Sequence, residues 1–321
     1  MLAVGPNGAG KTNLLESLHV GTQGFSPRTR SDRELIRFGE QAARIRLEGT
    51  RGQAPIQIGV ALSVTEGKRA EVNGARLRAA EQLRSETATL VFTPDRLAIV
   101  KGGPAARRAY FDRVLARLLP ARAPLPANYA VALAQRNAGL KRGDRAALAP
   151  WTEQLAALGA PLVEARIEAL GLLAQPFAVL ASGLGLDSPR LAYEGEPPTA
   201  AALEARLDRD LDRGSTGLGP HLHDVSISAA DRDLRAFGSQ GEQRTAVLAL
   251  LLAEAELLAE RRGEPPLLLL DDVLSELDPE RRRVLVEQVR GRGQTLITAT
   301  TADALPGEPD QLLHVSPGVV V

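Results

Sequence analysis

The stretch Gly5-Pro6-Asn7-Gly8-Ala9-Gly10-Lys11-Thr12 decides how the rest of this 321-residue sequence is interpreted. It fits the phosphate-binding pattern G-x-x-x-x-G-K-[ST], in which backbone N–H groups surround phosphate oxygens. Lys11 is predicted to reach the β- and γ-phosphates, and Thr12 to offer its hydroxyl to Mg²⁺. An apolar strand end precedes the loop, and the helix that follows directs its positive N-terminal end at the anion. The stretch therefore predicts a protein that binds a nucleoside triphosphate.

The position of this loop is unusual, because a phosphate-binding loop normally follows a complete strand. Only the four residues Met1-Leu2-Ala3-Val4 precede it, and they correspond to the end of a strand. We therefore expect the sequence to be an N-terminally shortened version of a longer protein.

The composition excludes several classes of protein. The 39 basic residues balance 39 acidic ones, so any DNA-binding surface must be a local patch rather than a field of the whole molecule. The absence of cysteine excludes disulfides, a thiolate metal site and a cysteine nucleophile. No apolar run approaches the roughly 20 residues that a membrane span needs. We expect a cytoplasmic protein with no membrane contact.

The apolar spacing changes character along the chain. Residues 43–77 alternate with a period of two, and Asn73-Gly74 is a strong hairpin signal, so this region is predicted as antiparallel β-structure. Long Ala/Leu/Arg-rich helices are then predicted at 104–119, 127–141 and 150–182, with a shorter helical stretch near 199–212. The last part is predicted to contain strands at 224–228, 266–271 and 294–300 and helices at 242–262 and 279–290.

The run Pro266-Leu267-Leu268-Leu269-Leu270-Asp271-Asp272 is predicted to complete the nucleotide site. A continuous apolar run is typical of a strand buried on both faces, and this one ends in two carboxylates at the edge where such sheets bind ligands. Asp271 is predicted to hold Mg²⁺, and Asp272 to orient or deprotonate the attacking water. Lys11, Asp271 and Asp272 are the candidate catalytic residues.

Two further segments resemble those of the ATP-binding-cassette (ABC) ATPases. Ser239-Gln240-Gly241-Glu242-Gln243 resembles their S-x-G-x-Q signature at a helix start, and Ser275-Glu276-Leu277-Asp278 resembles their S-x-L-D loop. In that class two heads enclose two ATP molecules. The resemblance implies ATP and Mg²⁺ as cofactors, with Ser239, Gly241 and Asp278 acting across a dimer on the nucleotide that the other head holds.

About 250 residues separate the phosphate loop from Asp271, far more than in transporter cassettes, and this favours the DNA-repair and chromosome-maintenance branch of the class. Within that branch the sequence resembles the RecF family. The matching segments are Arg30-Ser31-Asp32-Arg33-Glu34-Leu35-Ile36-Arg37-Phe38-Gly39, Phe92-Thr93-Pro94-Asp95-Arg96-Leu97, Val100-Lys101-Gly102-Gly103-Pro104 with Arg107-Arg108, Gln135-Arg136-Asn137, Gly238-Ser239-Gln240-Gly241 and Leu269-Leu270-Asp271-Asp272-Val273-Leu274-Ser275-Glu276-Leu277-Asp278.

This resemblance implies an ATP-driven homodimer that recognises duplex DNA at gaps. It also implies work with RecR and RecO to load RecA, and a slow ATP turnover that acts as a switch. The expected fold is α/β: an ABC-type ATPase head with a mixed sheet, flanking helices and an antiparallel β part, and an inserted mainly helical lobe. We assign residues 1–95 and 203–321 to the head and residues 96–202 to the lobe.

The sequence departs from the family pattern in two places. Only four residues precede Gly5, whereas members of the family usually begin with about thirty more, which form two strands and contribute to the adenine pocket. The family pattern G-P-H-R-D-D is replaced by Gly219-Pro220-His221-Leu222-His223-Asp224. Whatever contact the family's arginine and first aspartate make is therefore lost or rebuilt.

Other residues are weaker candidates. Arg107 and Arg108 follow a glycine-rich helix entry and are the best candidates for DNA phosphate contacts. His221 and His223 lie two apart beside Asp224, so a metal site there is an alternative to a structural role. Thr300 and Thr301 end a strand where many ABC heads carry a switch histidine, and they either sense the γ-phosphate or simply end the strand.

Two alternatives to a DNA-repair ATPase switch remain open. The chain could be a binding module that holds DNA or RecR without ATP turnover. It could also belong to another ABC family with a helical insertion, such as a structural-maintenance head or an overcoming-lysogenization-type ATPase.

Overall fold

The computed structural model describes residues 1–145, 147–275 and 277–321 in full. Glu276, part of the predicted S-x-L-D loop, lies outside the described residues. The strands are β1 (Leu2–Val4), β2 (Ala42–Arg51), β3 (Ala54–Ser63), β4 (Gly67–Val72), β5 (Ala75–Arg76), β6 (Thr89–Phe92), β7 (Arg190–Glu194), β8 (Asp224–Ala229), β9 (Arg232–Asp233), β10 (Leu267–Leu270), β11 (Thr295–Ala299), β12 (Leu312–Ser316) and β13 (Val319–Val320). The α-helices are α1 (Lys11–Gln23), α2 (Leu83–Glu86), α3 (Ala98–Lys101), α4 (Pro104–Leu118), α5 (Leu125–Arg142), α6 (Arg145–Gly183), α7 (Ala200–Glu204), α8 (Leu207–Arg213), α9 (Leu234–Phe237), α10 (Gln240–Arg262) and α11 (Pro279–Val289).

The chain divides into two compact units. The first unit comprises Met1–Arg96 and Leu258–Val321, and the second unit comprises Leu97–Leu257. We predicted that the head resumes at residue 203, but residues 203–257 belong to the second unit. The reason is their packing, because β8 pairs with β7 in an antiparallel sheet and the completely buried Leu203 packs in one apolar cluster with Tyr129 and Leu162.

A six-stranded sheet forms the centre of the first unit, in the order β13-β12-β1-β11-β10-β6. The strands from β12 to β6 are parallel, and only β13 pairs antiparallel at the edge. The residues of β1, β6 and β11 are all buried, as expected for parallel strands that are covered on both faces. Because β1, β11 and β10 are neighbouring parallel strands, the loop after β1 and the carboxylates after β10 come to the same edge of the sheet.

A four-stranded antiparallel sheet, in the order β2-β3-β4-β5, completes the first unit. Its inner face carries Ile58, Val60 and Leu62, which pack with Val20 of α1. The predicted Asn73-Gly74 hairpin is confirmed: both residues have positive φ, 49° and 79°, as a two-residue type I′ turn requires. The period-two pattern therefore predicted the antiparallel strands.

The second unit is mainly helical, with a small antiparallel sheet in the order β7-β8-β9. Its longest element, α6, has 39 residues and contains three prolines, which each remove a backbone hydrogen bond from a helix. The helix continues because its apolar side chains are buried along its length, including Leu155, Leu162 and Phe177. The helix that we predicted at 199–212 is divided between α7 and α8.

A buried ion pair lies inside the second unit. Arg136 on α5 and Asp210 on α8 have no exposed side-chain surface, and Arg136 Nη1 donates to Asp210 Oδ2 at 2.8 Å. Arg136 also donates to Thr216 Oγ1 at 2.8 Å and to Thr152 Oγ1 at 3.1 Å. A buried charge is tolerated when it is paired and its donors are satisfied, so these contacts join α5, α6, α8 and the loop that follows α8.

Within the described part of the chain, no helix has both the length and the apolar character that a membrane crossing requires.

Candidate nucleotide-binding site

The loop from Gly5 to Thr12 joins the end of β1 to the start of α1. Gly10 caps α1 with a φ of 104°, a left-handed conformation that glycine adopts without the steric penalty of a Cβ. A Cβ on Gly5 would stand 2.2 Å from the carbonyl oxygen of Val315 on β12. The first turn of α1 contains no acidic side chain. Its backbone N–H groups and positive helix end therefore form a site suited to an anion.

Lys11 lies over this loop. Its side chain is largely buried, with 8% exposure, and its Nζ donates to the carbonyl oxygens of Gly5 at 2.7 Å and Pro6 at 3.0 Å. These contacts hold the ammonium group beside the backbone that the sequence pattern assigns to phosphate binding. In the predicted phosphate contact, the ammonium group would donate to phosphate oxygens in place of these carbonyl oxygens.

Thr12 and Asp271 meet although they lie 259 positions apart in the chain. Thr12 Oγ1 donates to Asp271 Oδ2 at 3.0 Å and to Oδ1 at 3.2 Å. Asp271 follows β10 directly and is only 6% exposed. The structure thus brings together the two residues that we predicted, from separate motifs, to hold Mg²⁺.

Thr298 of β11 is a member of this site that the sequence analysis did not identify. It is completely buried, its Oγ1 donates to Asp271 Oδ1 at 2.8 Å, and the same oxygen accepts the N–H of Asp272 at 2.9 Å. Leu270 and Ile297 are paired across β10 and β11, so Asp271 and Thr298 come next to each other. A hydroxyl residue near the end of an apolar strand is the available sequence signal, but it also fits Thr300 and Thr301, which are both exposed.

Asp272 has a left-handed backbone conformation, with a φ of 49° and a ψ of 28°. For a residue other than glycine this conformation costs roughly 1–2 kcal/mol. The N–H bond to Thr298 and the bond from Ser275 Oγ to the carbonyl oxygen of Asp272 at 2.9 Å hold the backbone there. Strain of this kind is typical of functional positions; the catalytic role of Asp272 stays a prediction.

Ser239 directly precedes α10, the helix that we predicted as the signature helix. Ser239 Oγ accepts the N–H of Glu242 at 3.2 Å, and Glu242 Oε2 accepts the N–H of Ser239 at 2.7 Å. This reciprocal pair is a capping box, so α10 starts directly after Ser239. Ser239 is exposed and Gly241 partly so. Gln243 is buried, and its side chain donates to the carbonyl oxygen of Leu234 at 2.7 Å, which fixes the helix start against α9.

Asp278 caps α11 at the other predicted trans-acting position. Its Oδ1 accepts the N–H of Arg281 at 2.9 Å, and Pro279 occupies the first helical position. About half of the Asp278 side chain is exposed. One carboxylate oxygen is thus used for the cap, while the residue remains accessible.

Arg107 has an internal role in the second unit. Its side chain is 4% exposed, and it forms two parallel bonds to Asp224, from Nε at 2.7 Å and from Nη2 at 2.5 Å. Its Nη1 donates to the carbonyl oxygens of Val100 and Gly102. Burial alone would raise the pKa of Asp224. The hydrogen bonds from Arg107 and from the N–H of Val225, together with the charges of Arg107 and Arg108, outweigh burial and hold that pKa below its ordinary value. Because the donors of Arg107 are occupied inside the unit, the prediction that it contacts DNA is wrong. Arg108 is only partly buried, and its contact with DNA phosphates stays a prediction.

The segment that departs from the family pattern is held by other contacts. Arg108 Nη1 donates to the carbonyl oxygen of His223 at 2.7 Å, and the His223 ring bonds to the hydroxyl of Tyr193 at 2.9 Å. Leu222, which replaces the pattern's arginine, is 55% exposed. The position of the pattern's first aspartate is therefore occupied by a histidine that pairs with a tyrosine.

His221 is used structurally through both of its ring nitrogens. Nε2 lies 3.0 Å from the carbonyl oxygen of Thr216 and Nδ1 lies 2.8 Å from the hydroxyl of Tyr129. The neutral ring with its proton on Nε2 satisfies both contacts, with the tyrosine donating to Nδ1. Among the side chains that the structure describes, no group of three or more His, Cys, Asp or Glu is arranged to hold a metal ion. These contacts support the structural role of His221 rather than the metal alternative.

We expect the stability of the chain to fall as the pH decreases from 6.5 towards 4. Burial, together with Arg166, His221 and Arg108, lowers the pKa of His223 to about 4. Between these pH values the unfolded chain binds more protons than the folded chain, so unfolding becomes easier. Urea unfolding at pH 7, 6 and 5 should therefore give a weaker pH dependence for His223→Gln.

The matched control is His314→Gln, because His314 is exposed on β12. It should leave the pH dependence of the unfolding free energy unchanged. Equal pH dependence in the wild-type chain and in His223→Gln would show that His223 does not contribute to the acid sensitivity.

The loop, the paired aspartates and the order of the central sheet together define a P-loop ATPase head of the ABC class. The RecF/RecN/SMC N terminal domain family matches residues 1–318. With the relatives described next, this match establishes that the chain belongs to the RecF family of DNA replication and repair proteins.

Similar proteins support this assignment in sequence and in structure. The DNA replication and repair protein RecF of Heliobacterium modesticaldum is 37% identical over 96% of this chain and 88% of its own length. That of Symbiobacterium thermophilum is 38% identical over 99% and 90%. A solved structure of the recombination mediator protein RecF with ATP superposes with a TM-score of 0.86, at 30% identity over 100% of this chain and 90% of its own. An Smc head, at 16% identity and a TM-score of 0.59, shares the fold.

Proposed function

We propose that this chain is an ATP-dependent DNA-binding recombination mediator of the RecF type, in which nucleotide controls the association of two copies. The observation that carries the proposal is the contact between Thr12 and Asp271 at 3.0 Å, because it joins the phosphate loop to the acidic strand in one site. Membership of the RecF family supports the assignment of that site to DNA repair, in the cytoplasm where bacterial DNA lies.

The oxygens of Thr12 and Asp271 fit a Mg²⁺ ion. A hydroxyl and a carboxylate are hard ligands of the kind that Mg²⁺ takes beside substrate phosphates, and here they already lie within 3.2 Å of each other. Thr298 donates to Asp271 Oδ1 and orients the carboxylate. When bound, Mg²⁺ would neutralise charge on the β- and γ-phosphates, with Thr12 and Asp271 as its protein ligands.

The other residues of the site have separate roles in binding the nucleotide and in hydrolysing it. The backbone of residues 5–12 and the start of α1 bind the phosphates, and Lys11 reaches the β- and γ-phosphates. Asp272 orients the attacking water or accepts its proton. The strained backbone of Asp272 and its bond to Thr298 support this role, because they hold the carboxylate-bearing residue in one conformation beside Asp271.

In the proposed dimer, Ser239 and Gly241 of one copy contact the γ-phosphate held by the other, with Asp278 beside them. The exposure of Ser239 and Asp278 supports this, since both must be accessible to a second copy. The positive N-terminal ends of α10 and α11 carry partial charge that suits a phosphate. Hydrolysis removes the group that joins the two copies, so ATP turnover acts as the release step.

The DNA substrate in this proposal is duplex DNA at a gap, where single-stranded and double-stranded DNA meet. The solved relatives are described as recombination mediator proteins in the RecFOR pathway, which supports RecR and RecO as partners in general. In this proposal RecR is the direct partner and RecO acts indirectly. Loading of RecA on the single strand would follow, and slow ATP hydrolysis would end the DNA-bound state.

Binding of this chain to a gapped duplex should require Mg-ATP and weaken steeply as the salt concentration rises. Phosphate contacts release counterions, so the logarithm of affinity falls linearly with the logarithm of salt concentration. Fluorescence anisotropy with gapped and intact duplexes of one sequence, with ATP, with ADP and without nucleotide, measures both dependences. We expect the tightest binding for the gapped duplex with ATP.

Equal DNA binding with and without ATP would contradict the switch and would favour the alternative of a binding module without ATP turnover. If the chain bound nucleotide but no DNA under any condition, the DNA-binding part of the proposal would be wrong.

A further inference from the structure

The most exposed large apolar side chain that the structure describes is Phe38, at 104%. It lies at a tight turn over residues 37–40, in which the N–H of Glu40 donates to the carbonyl oxygen of Arg37 at 2.9 Å. Gly39 follows it with a φ of 89°, which the third residue of a type II turn requires and glycine supplies. The turn therefore places an aromatic ring at its apex, fully in solvent.

The turn is attached to the rigid part of the first unit. Leu35 and Ile36, directly before it, pack against the apolar cluster on the inner face of the antiparallel sheet. Directly after it, the N–H of Val64 donates to the carbonyl oxygen of Gln41 at 3.1 Å. Because both ends are anchored, the backbone that carries the Phe38 ring is held before a partner binds, which lowers the ordering cost of binding.

Three arginines precede this ring closely in the sequence. Arg30, Arg33 and Arg37 are exposed, and no ion pair involves them among the described residues. The neighbouring opposite charges are partly used, since Asp32 is paired with Lys68 at 3.1 Å. Glu34 and Glu40 are also exposed, so the net positive charge of this segment is small. Charge alone would attract a partner weakly, and the aromatic ring is the main group available for contact, with the arginines beside it.

We propose that Phe38 stacks on an unpaired base where single-stranded and duplex DNA meet, and that Arg33 and Arg37 contact the phosphates beside that base. A base has an apolar face that stacks on an aromatic ring whatever its sequence, and an intact duplex does not offer that face. The turn would therefore distinguish gapped from continuous DNA. This inference rests on the proposed function, because it assigns the junction-specific part of DNA binding to the turn.

The test compares the affinities of Phe38→Ala, Phe38→Trp and the wild-type chain for gapped and intact duplexes with Mg-ATP. Loss of one stacked base should weaken binding to the gapped duplex roughly tenfold in Phe38→Ala and leave binding to the intact duplex unchanged. Phe38→Trp should restore the affinity, and its added emission over that of Trp151, the only native tryptophan, should be quenched by the gapped duplex. Val179→Ala, which truncates another exposed apolar side chain, is the matched control.

Three outcomes would overturn the inference. Unchanged preference for the gapped duplex in Phe38→Ala would exclude stacking, and an equal loss on both duplexes would make the turn a general DNA contact. Loss of dimerisation with unchanged DNA affinity would instead assign Phe38 to a protein interface. A wild-type chain that binds neither duplex contradicts the proposed function as well, whereas a normal wild-type preference that survives in Phe38→Ala overturns this inference alone.

Discussion

Replacing Lys11 by alanine is expected to abolish the ATP-dependent dimerisation of this chain and to reduce ATP turnover by at least about 100-fold. Lys11 is largely buried, and its ammonium lies 2.7 Å from the carbonyl oxygen of Gly5, inside the phosphate loop. The variant removes the positive charge that we propose contacts the β- and γ-phosphates, while the apolar packing of the sheet is untouched. Light scattering with and without Mg-ATP measures the mass, and phosphate release measures the turnover.

Two further variants make this result specific. Lys141→Ala removes the same charge from an exposed position at the end of α5 and should change neither measurement. Asp272→Asn should keep the ATP-dependent dimer but slow hydrolysis, because the variant still binds the nucleotide but loses the carboxylate that we propose activates water. Unchanged dimer formation in Lys11→Ala would refute the assignment of the phosphate loop.

Replacing Arg136 by methionine is expected to destabilise the second unit by about 3–5 kcal/mol. The substitution leaves the carboxylate of Asp210 completely buried without its ionic partner, and Thr216 and Thr152 each lose a donor. For a unit of this size that change corresponds to a fall of about 10 °C in the melting temperature. Calorimetry and urea unfolding of the whole chain measure it.

The chain contains a surface pair that serves as the control. Arg145 and Asp208 also form an ion pair, but their side chains are 62% and 80% exposed, so Arg145→Met should cost less than about 1 kcal/mol. The double variant Arg136→Met with Asp210→Leu should recover part of the stability, because no unpaired charge remains. A loss in Arg136→Met no larger than that in Arg145→Met would show that the buried pair contributes little.

Several features of the fold follow from short stretches of sequence. The alternation over residues 43–77 predicts the antiparallel sheet, and Asn73-Gly74 predicts its hairpin, because two positive φ angles suit those residue types. The apolar run before Asp271 predicts a strand buried on both faces. In each case the information lies within a few neighbouring positions, so the sequence alone is sufficient.

Short stretches of sequence did not predict the boundary of the second unit or the role of Arg107. Leu203 begins a segment that we assigned to the head, yet it is buried in the helical unit. An apolar residue predicts burial, but its sequence does not indicate in which of two cores it is buried. Arg107 follows a glycine-rich helix entry, as a phosphate contact would. Only its proximity to Asp224, 117 positions away, gives its guanidinium an internal partner.

The sequence by itself determined the phosphate loop, the paired aspartates and the RecF resemblance, because each is a local pattern of residue types at fixed spacing. The tertiary structure decided which of these residues meet. Thr298 belongs to the site only because β11 lies between β1 and β10 in a register that sets it beside Asp271. The parallel strands β1, β10 and β11 are far apart in the chain and no tight turn joins them, so their order and register depend on contacts between distant segments.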